Sequence, residues 1–357
     1  MSNVIHGGNI EELTRKYNLD KEKLIDFSAN INPLGLNKNV KKTIIEAIEE
    51  INIYPDITYY NLKKSISSYE KITLDYLTLG NGAAEVIFNL VRAINPKKAL
   101  LLAPTFGEYE EALLSINSKV EYYMLKEGNN WDINIDILEK INKETDMIFI
   151  CNPNNPTGKL TDRKLILEVL EKAKNYDCVV AIDESFLDFV KDNENYTLIN
   201  YIEDYKNLFI IKSLTKFFAM PGLRIGYGIT YDKTLIRKIN SISVPWNINV
   251  LAEKGAIKAL AEKEYINNTI NYIENEKDRF YYELCKFNDL KIFKPSVNYI
   301  MFKINKNIDL KEEMMKENII IRSCSNYIGL DNKYYRVAVR KREENEKFID
   351  VLKKILN

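Results

Sequence analysis

Between about residue 76 and residue 230, short apolar runs alternate with stretches whose apolar residues return every three or four positions. The runs are YLTLG, ALLLA, VEYYML, MIFIC, CVVAID, LFIIKS and GYGIT. Between them lie segments such as EVIFNLVRAI and RKLILEVLEKAKNY, whose spacing is helical. A half-exposed strand alternates polar and apolar residues, whereas an uninterrupted apolar strand is buried on both faces. The pattern therefore predicts an α/β fold with a mainly parallel sheet covered by helices on both sides. After about residue 245 the rhythm changes. A helical tract from Asn249 to Phe287 precedes YIMFKI, NIIIR and YYRVAVR, and a closing helix is expected from Arg342 onward. We expect residues 46–245 to form a large lobe and 246–357 a smaller α+β lobe, which residues 1–45 join.

Charge and composition remove several function classes. Lys+Arg and Asp+Glu are equal at 51 each, so nothing biases the chain toward nucleic acid or anionic membrane. No basic stripe or DNA-binding helix pair is appended. The longest apolar runs fall short of a membrane span, and MSNVIHGGN does not read as a secretory leader, so a cytoplasmic protein is expected. The four cysteines, Cys151, Cys178, Cys285 and Cys324, show no metal-ligand spacing, and His6 is the one histidine. No metal site is expected, and the thiols should be reduced. An early strand followed by GxGxxG is missing, which disfavours a nicotinamide-dependent dehydrogenase.

Candidate chemistry collects at the ends of the predicted strands. In LGNGAAEVIFNLV, residues 79–91, a strand ends in a glycine turn and a helix begins near Ala83. Its first N–H groups form either an anion cradle or an unliganded turn. CNPNNPTG, 151–158, follows the strand MIFI, and Asn155 could present its amide to a ligand there. Asp183, ending CVVAID, is either a turn cap or a site carboxylate. IIKSLTKFFAMPGLRIGYG, 210–228, places Lys216 among apolar residues, three after Ser213 and eight before Arg224. A bare ammonium there is costly. Pyridoxal 5′-phosphate offers a common rationale, because it needs a lysine amine, a carboxylate at its pyridine nitrogen, a donor at its phenolic oxygen and a phosphate cup. Desolvation and a neighbouring cation would lower the Lys216 pKa toward the reactive amine.

NPNNPTG, DES and SLTK followed by PGLRIGYG, in this order, resemble the class I/II aminotransferase superfamily of pyridoxal-phosphate enzymes over nearly the whole chain. The resemblance implies a seven-stranded, mainly parallel sheet flanked by helices in the large domain. It also implies catalytic roles for Lys216, as covalent anchor, and Asp183, as partner of the pyridine nitrogen. Asn155 would meet the phenolate oxygen, and Gly82, Ala83, Ala84, Ser213 and Arg224 the phosphate. Phe106 would stack on the ring, and Tyr54 would reach the phosphate of a second subunit, implying a homodimer with shared sites.

Within the family, the patterns are most similar to members acting on small phosphorylated amino acids and amines. Arg336 matches a substrate-carboxylate arginine and Arg322 a phosphate arginine, although which anion Arg336 holds stays open. HGGN at 6–9, DFSANINPLG at 26–35, Phe186 in place of a tyrosine, and IRSCSNYIGLDNKYYRVAVR at 321–340 point to one reaction. By that resemblance the expected reaction is decarboxylation of L-threonine O-3-phosphate to (R)-1-amino-2-propanol O-2-phosphate, in cobalamin side-chain synthesis. The alternative is transamination of histidinol phosphate. His6 is either a frayed terminal residue or, with Asn30, a donor to the substrate phosphate; Asn155 is a further substrate contact. Cys324 is read as a packed residue with no chemistry.

Overall fold

The computed structural model describes residues 7–17 and 20–357. After a two-residue strand β1 (Ile25–Asp26), seven strands build the largest sheet. They are β2 (Leu77–Gly80), β3 (Lys98–Ala103), β4 (Lys119–Met124), β5 (Met147–Cys151), β6 (Val179–Asp183), β7 (Leu208–Ser213) and β8 (Gly226–Ile229). Their order is β2-β8-β7-β6-β5-β3-β4. Only β8 runs against its neighbours, so the sheet is mainly parallel as the apolar runs require. Each of the seven runs read from the sequence corresponds to one of these strands.

Alternation along the strands divides the core in two. Phe149, Ala181, Phe209 and Ile211 face one cluster, closed by Val86, Ile87 and Leu90 of the helix Gly82–Ile94. Ile148, Ile150, Val180, Ile182, Leu208 and Ile210 face the larger cluster on the other side. Each such fully buried aliphatic side chain stabilises the fold by about 1.5–3 kcal/mol relative to leaving it in water.

The C-terminal part forms an antiparallel sheet of β9 (Leu290–Ile292), β10 (Tyr299–Ile304), β12 (Arg322–Ser323) and β13 (Tyr334–Ala338), in the order β12-β13-β10-β9. Two details differ from the sequence reading. The tract from Asn249 to Phe287 is two helices, Val250–Ala261 and Lys263–Leu284, because Glu262 leaves the helical region (φ −84°, ψ 67°). The run NIIIR is shared between two sheets. Ile319–Ile320 is β11, paired in parallel with β1, while Arg322 already pairs with β13. Phe27 bridges the two sheets through its backbone, donating to Ile320 O at 2.8 Å and accepting from Ala338 N at 2.8 Å. The N-terminal segment is thereby stitched to the C-terminal sheet.

Behind the catalytic-looking edge of the large sheet lies a buried ion cluster. Lys212 Nζ is 2.9 Å from Asp188, 3.7 Å from Glu70 and 3.8 Å from Glu184, and all four side chains are almost fully buried. One cation among three carboxylates leaves an excess of negative charge. Burial accordingly pushes Glu184 up to about 7 and raises Glu70, whose carboxylate also accepts from the Tyr227 hydroxyl. Lys212→Met should cost about 3–5 kcal/mol in urea unfolding, since it strands buried carboxylates. Because Glu184 has a raised folded pKa, its stabilising protonated form is lost as pH rises through about 7. The deficit of the variant should therefore be smallest at acid pH and grow on the alkaline side.

Candidate active site

Parallel register brings the ends of β5, β6 and β7 to one edge, with Cys151 opposite Asp183 and Asp183 opposite Ile211. The antiparallel β8 starts at the same edge, Gly226 facing both Ser213 and Gly80. A cavity of about 550 Å³ opens there, lined among others by Ala83, Ala84, Phe106, Asn155, Asp183 and Lys216. That volume lies in the range of about 300–1,000 Å³ usual for small-molecule sites. Ser213, Arg224, Arg322, Arg336 and Asn30 also line it.

One wall is the N-terminus of the helix Gly82–Ile94, whose cap residue Asn81 makes no capping hydrogen bond. The first-turn N–H groups are thus left for an anion. Gly82 has φ +82°, and a Cβ built there would lie 2.4 Å from an Arg224 guanidinium nitrogen. Gly226 likewise admits no side chain, because its Cβ would come 2.5 Å from Ala83 N. These two glycines let Arg224 and the start of β8 close on the helix end. Ser213 Oγ, 2.8 Å from Thr215 Oγ1, completes that corner.

Lys216 sits on the four-residue helix Leu214–Phe217 that follows β7. Burial, then the charges of Arg224 and Arg336, push its pKa down to about 8. Asp183 is held by Ser185 N at 2.9 Å and by the Tyr109 hydroxyl at 2.7 Å, and burial raises its pKa. Asn155 Oδ1 accepts from Arg336 and, at 3.4 Å, from Tyr327 Oη, which turns the amide nitrogen toward the remaining space.

On the opposite wall Arg322 and Arg336 are direct cross-strand partners on β12 and β13, both buried. Like charges in that position repel. Arg336 donates to Ser28 O at 2.7 Å, yet its Nε has no partner, and neither does Asn30 Oδ1. Arg322 donates to Asn326 Oδ1 at 2.7 Å and lies over the Tyr327 ring, 5.4 Å from its centroid. The unpartnered Arg336 donor, beside a second buried guanidinium, marks a wall that awaits an anion.

The donor set fits pyridoxal 5′-phosphate. An amine of lowered pKa, a buried carboxylate, an outward amide nitrogen, a helix-end anion cradle and an aromatic ring meet in one cavity. Of the residues singled out from sequence, Tyr54 is not brought there. It is 77% exposed and packs on Trp246, with ring centroids 4.7 Å apart. His6 lies outside the described residues. Cys324 is buried, as a packed residue would be. Sequence reasoning missed Glu108, Tyr109 and Tyr327. Tyr109 stands in the first turn of the helix Glu108–Leu114, three residues after Phe106, and their rings meet edge to face with centroids 5.5 Å apart. Among the described residues no helix is long and apolar enough to cross a membrane, and no acidic, cysteine or histidine cluster could hold a metal.

Residues 22–352 match the pattern of the family "Aminotransferase class I and II". The chain is 34% identical over 355 residues to the threonine-phosphate decarboxylase of Salmonella typhimurium, covering 99% of this chain and 97% of that one. Its fold superposes on the histidinol-phosphate aminotransferase of Clostridium acetobutylicum with a TM-score of 0.88 and 37% identity, covering 94% of this chain and 99% of that one. The L-threonine-O-3-phosphate decarboxylase of Porphyromonas gingivalis gives a TM-score of 0.83 and 25% identity, covering 92% and 98%.

Gly82→Ala tests the phosphate corner. Holding alanine at φ +82° against Arg224 should cost of order 1–3 kcal/mol. Spectroscopic titration of the variant with pyridoxal phosphate should show binding weakened by about tenfold. Unchanged affinity would place the phosphate elsewhere.

Proposed function

The chain belongs to the aminotransferase class I and II family, and we propose that within it this protein releases CO₂ from L-threonine O-3-phosphate. The product is (R)-1-amino-2-propanol O-2-phosphate, a component of the cobalamin side chain. The observation that carries this reading is the pair of buried arginines, Arg322 and Arg336, opposed across β12 and β13. A small substrate bearing both a carboxylate and a phosphate answers both guanidiniums. Threonine phosphate carries both anions in one molecule; histidinol phosphate carries only the phosphate, and its reaction would need the dicarboxylate 2-oxoglutarate to answer both.

Pyridoxal phosphate, when bound, supplies an electron-withdrawing ring that labilises whichever substrate Cα bond stands perpendicular to its plane. In this reading Lys216 is the amine that bonds the cofactor and Asp183 sits at its pyridine nitrogen. Asn155 donates to its ring oxygen, Phe106 covers its face, and Gly82, Ala83, Ala84, Ser213 and Arg224 hold its phosphate. The substrate's two anions are gripped by Arg322 and Arg336, with Asn30, Asn155 and His6 as further contacts. Pinning both anions fixes the substrate's orientation and holds the carboxylate out of plane, an effect of positioning. Phe186, buried at 7% exposure, offers no hydroxyl to the cofactor.

The same reading makes the protein a cytoplasmic homodimer. Ile51, Ile53, Tyr54, Ile57, Val244 and Trp246 are all exposed, an apolar surface that a second copy would cover while bringing Tyr54 to its partner's site. It also divides the chain into a large lobe, 46–245, and a small lobe, 246–357, joined by 1–45.

Purified enzyme loaded with pyridoxal phosphate should release CO₂ from L-threonine O-3-phosphate without a keto acid. Turnover of histidinol phosphate that depends on 2-oxoglutarate would overturn the assignment. Arg336→Lys, which keeps the charge but loses the planar fork, should lower kcat/KM for threonine phosphate by about tenfold or more. The bound cofactor's spectrum should survive that change. Trp246→Glu should shift the sedimenting species from dimer to monomer and loosen the cofactor; a monomeric wild type would sink the shared-site arrangement.

A further inference from the structure

Tyr109 touches both Asp183 and Phe106, the side chains assigned above to the cofactor's ring nitrogen and to its face. We infer that Tyr109 is a positioning residue of the site, whose hydroxyl aims the Asp183 carboxylate and keeps it an anion for a protonated ring nitrogen. The inference deepens the reading of Asp183 as partner of the pyridine nitrogen, and rests on it.

The geometry is built from three aromatic rings. Tyr109, in the first turn of the helix Glu108–Leu114, is fully buried. Its ring lies nearly parallel to that of Phe149 on β5, with centroids 4.7 Å apart and planes inclined by 11°. Phe106 meets it edge-on, at 5.5 Å and 77°. A ring packed against two neighbours has a fixed direction, and its hydroxyl donates to Asp183 Oδ2 at 2.7 Å. The other carboxylate oxygen, Oδ1, accepts from Ser185 N at 2.9 Å. Both oxygens are therefore anchored and the plane of the carboxylate is set. Each keeps a lone pair, and Asp183 lines the cavity where a further donor would sit.

Electrostatics explains why a hydroxyl stands here. A phenylalanine would pack between Phe149 and Phe106 with no polar atom to satisfy, so packing alone does not call for tyrosine. Asp183 does. Burial raises its pKa and so favours the neutral acid, while hydrogen bonds from Ser185 and Tyr109 act the other way. Those bonds are made to the ionised form, where they are strongest. The phenol also keeps its proton, because burial, and then the charge of Asp183, raises the Tyr109 pKa. An anionic Asp183 favours a proton on the ring nitrogen, and a protonated ring withdraws electrons more strongly than a neutral one. Tyr109 thus acts on the cofactor through Asp183 rather than directly.

A change of cofactor supplies the test. A deaza analogue of pyridoxal 5′-phosphate carries C–H in place of the ring nitrogen and keeps the aldehyde, the ring oxygen and the phosphate. Dissociation constants of the full-length protein for both compounds are measured by spectroscopic titration. The wild type should bind pyridoxal phosphate about tenfold or more tightly than the analogue, as a hydrogen bond between charged groups contributes. In Tyr109→Phe that preference should shrink by about threefold or more, while affinity for the analogue stays within about twofold of the wild type's. A purely structural role would weaken both compounds by one factor. Added to Asp183→Asn, the substitution should leave the preference unaltered, because the residue it acts through has lost its charge. Equal losses for both compounds, or a preference as large as the wild type's, would overturn the inference while leaving Asp183 in its role. A wild type that binds both equally well would refute the placement of Asp183 itself, and the inference with it.

Discussion

The shared register of β5, β6 and β7 is the constraint from which the site follows. Three parallel strands deliver Cys151, Asp183 and, two residues further along β7, Ser213 to a single edge, and β8, running the other way, begins there at Gly226. Each strand also sorts neighbouring residues to opposite faces. Asp183 therefore looks into the cavity while Glu184 looks into the core behind it, and Ser213 and Lys212 are sorted the same way. The Lys212 cluster sits directly behind the site as a consequence. Its ion pairs fix the backbone on which Asp183 and Lys216 depend.

Electrostatics in the cavity have two poles. Arg224, Arg322 and Arg336 line it, while Asp183 and Glu108 enter from the strand ends and the neighbouring helix. Lys216 lies between these groups and is depressed by burial and by two of the arginines. An anionic cofactor and an anionic substrate would each relieve that crowding of cations, so binding and chemistry draw on the same repulsion. Asn155 links the two regions, because its amide oxygen is held by Arg336 and Tyr327 while its nitrogen remains as a donor for a ligand.

Much of this was legible in the sequence because the signals were local. Apolar runs of strand length gave the large sheet, and the segments around Gly82, Asn155, Asp183 and Lys216 each end a strand, so placing the strands placed them. What local pattern could not show was pairing. NIIIR read as one strand, yet its halves join different sheets, a matter of which partner lies alongside. The break at Glu262 carries neither glycine nor proline, the usual marks of a helix end. Tyr327 and Glu108 escaped notice because a tyrosine or glutamate in a polar segment looks like surface. Only the folded chain shows that both border the cavity. Tyr54 is the reverse case, conspicuous by resemblance and distant from this chain's own site.

The stitch made by Phe27 has a practical side. Because β1 is bound to β11, the few residues on either side of it travel with the C-terminal sheet. Gly7 lines the cavity, and Gly8 N donates to Ser28 Oγ at 2.8 Å. A change at Gly7 or Gly8 therefore alters a wall of the cavity, although both stand about two hundred residues before Lys216 along the polypeptide.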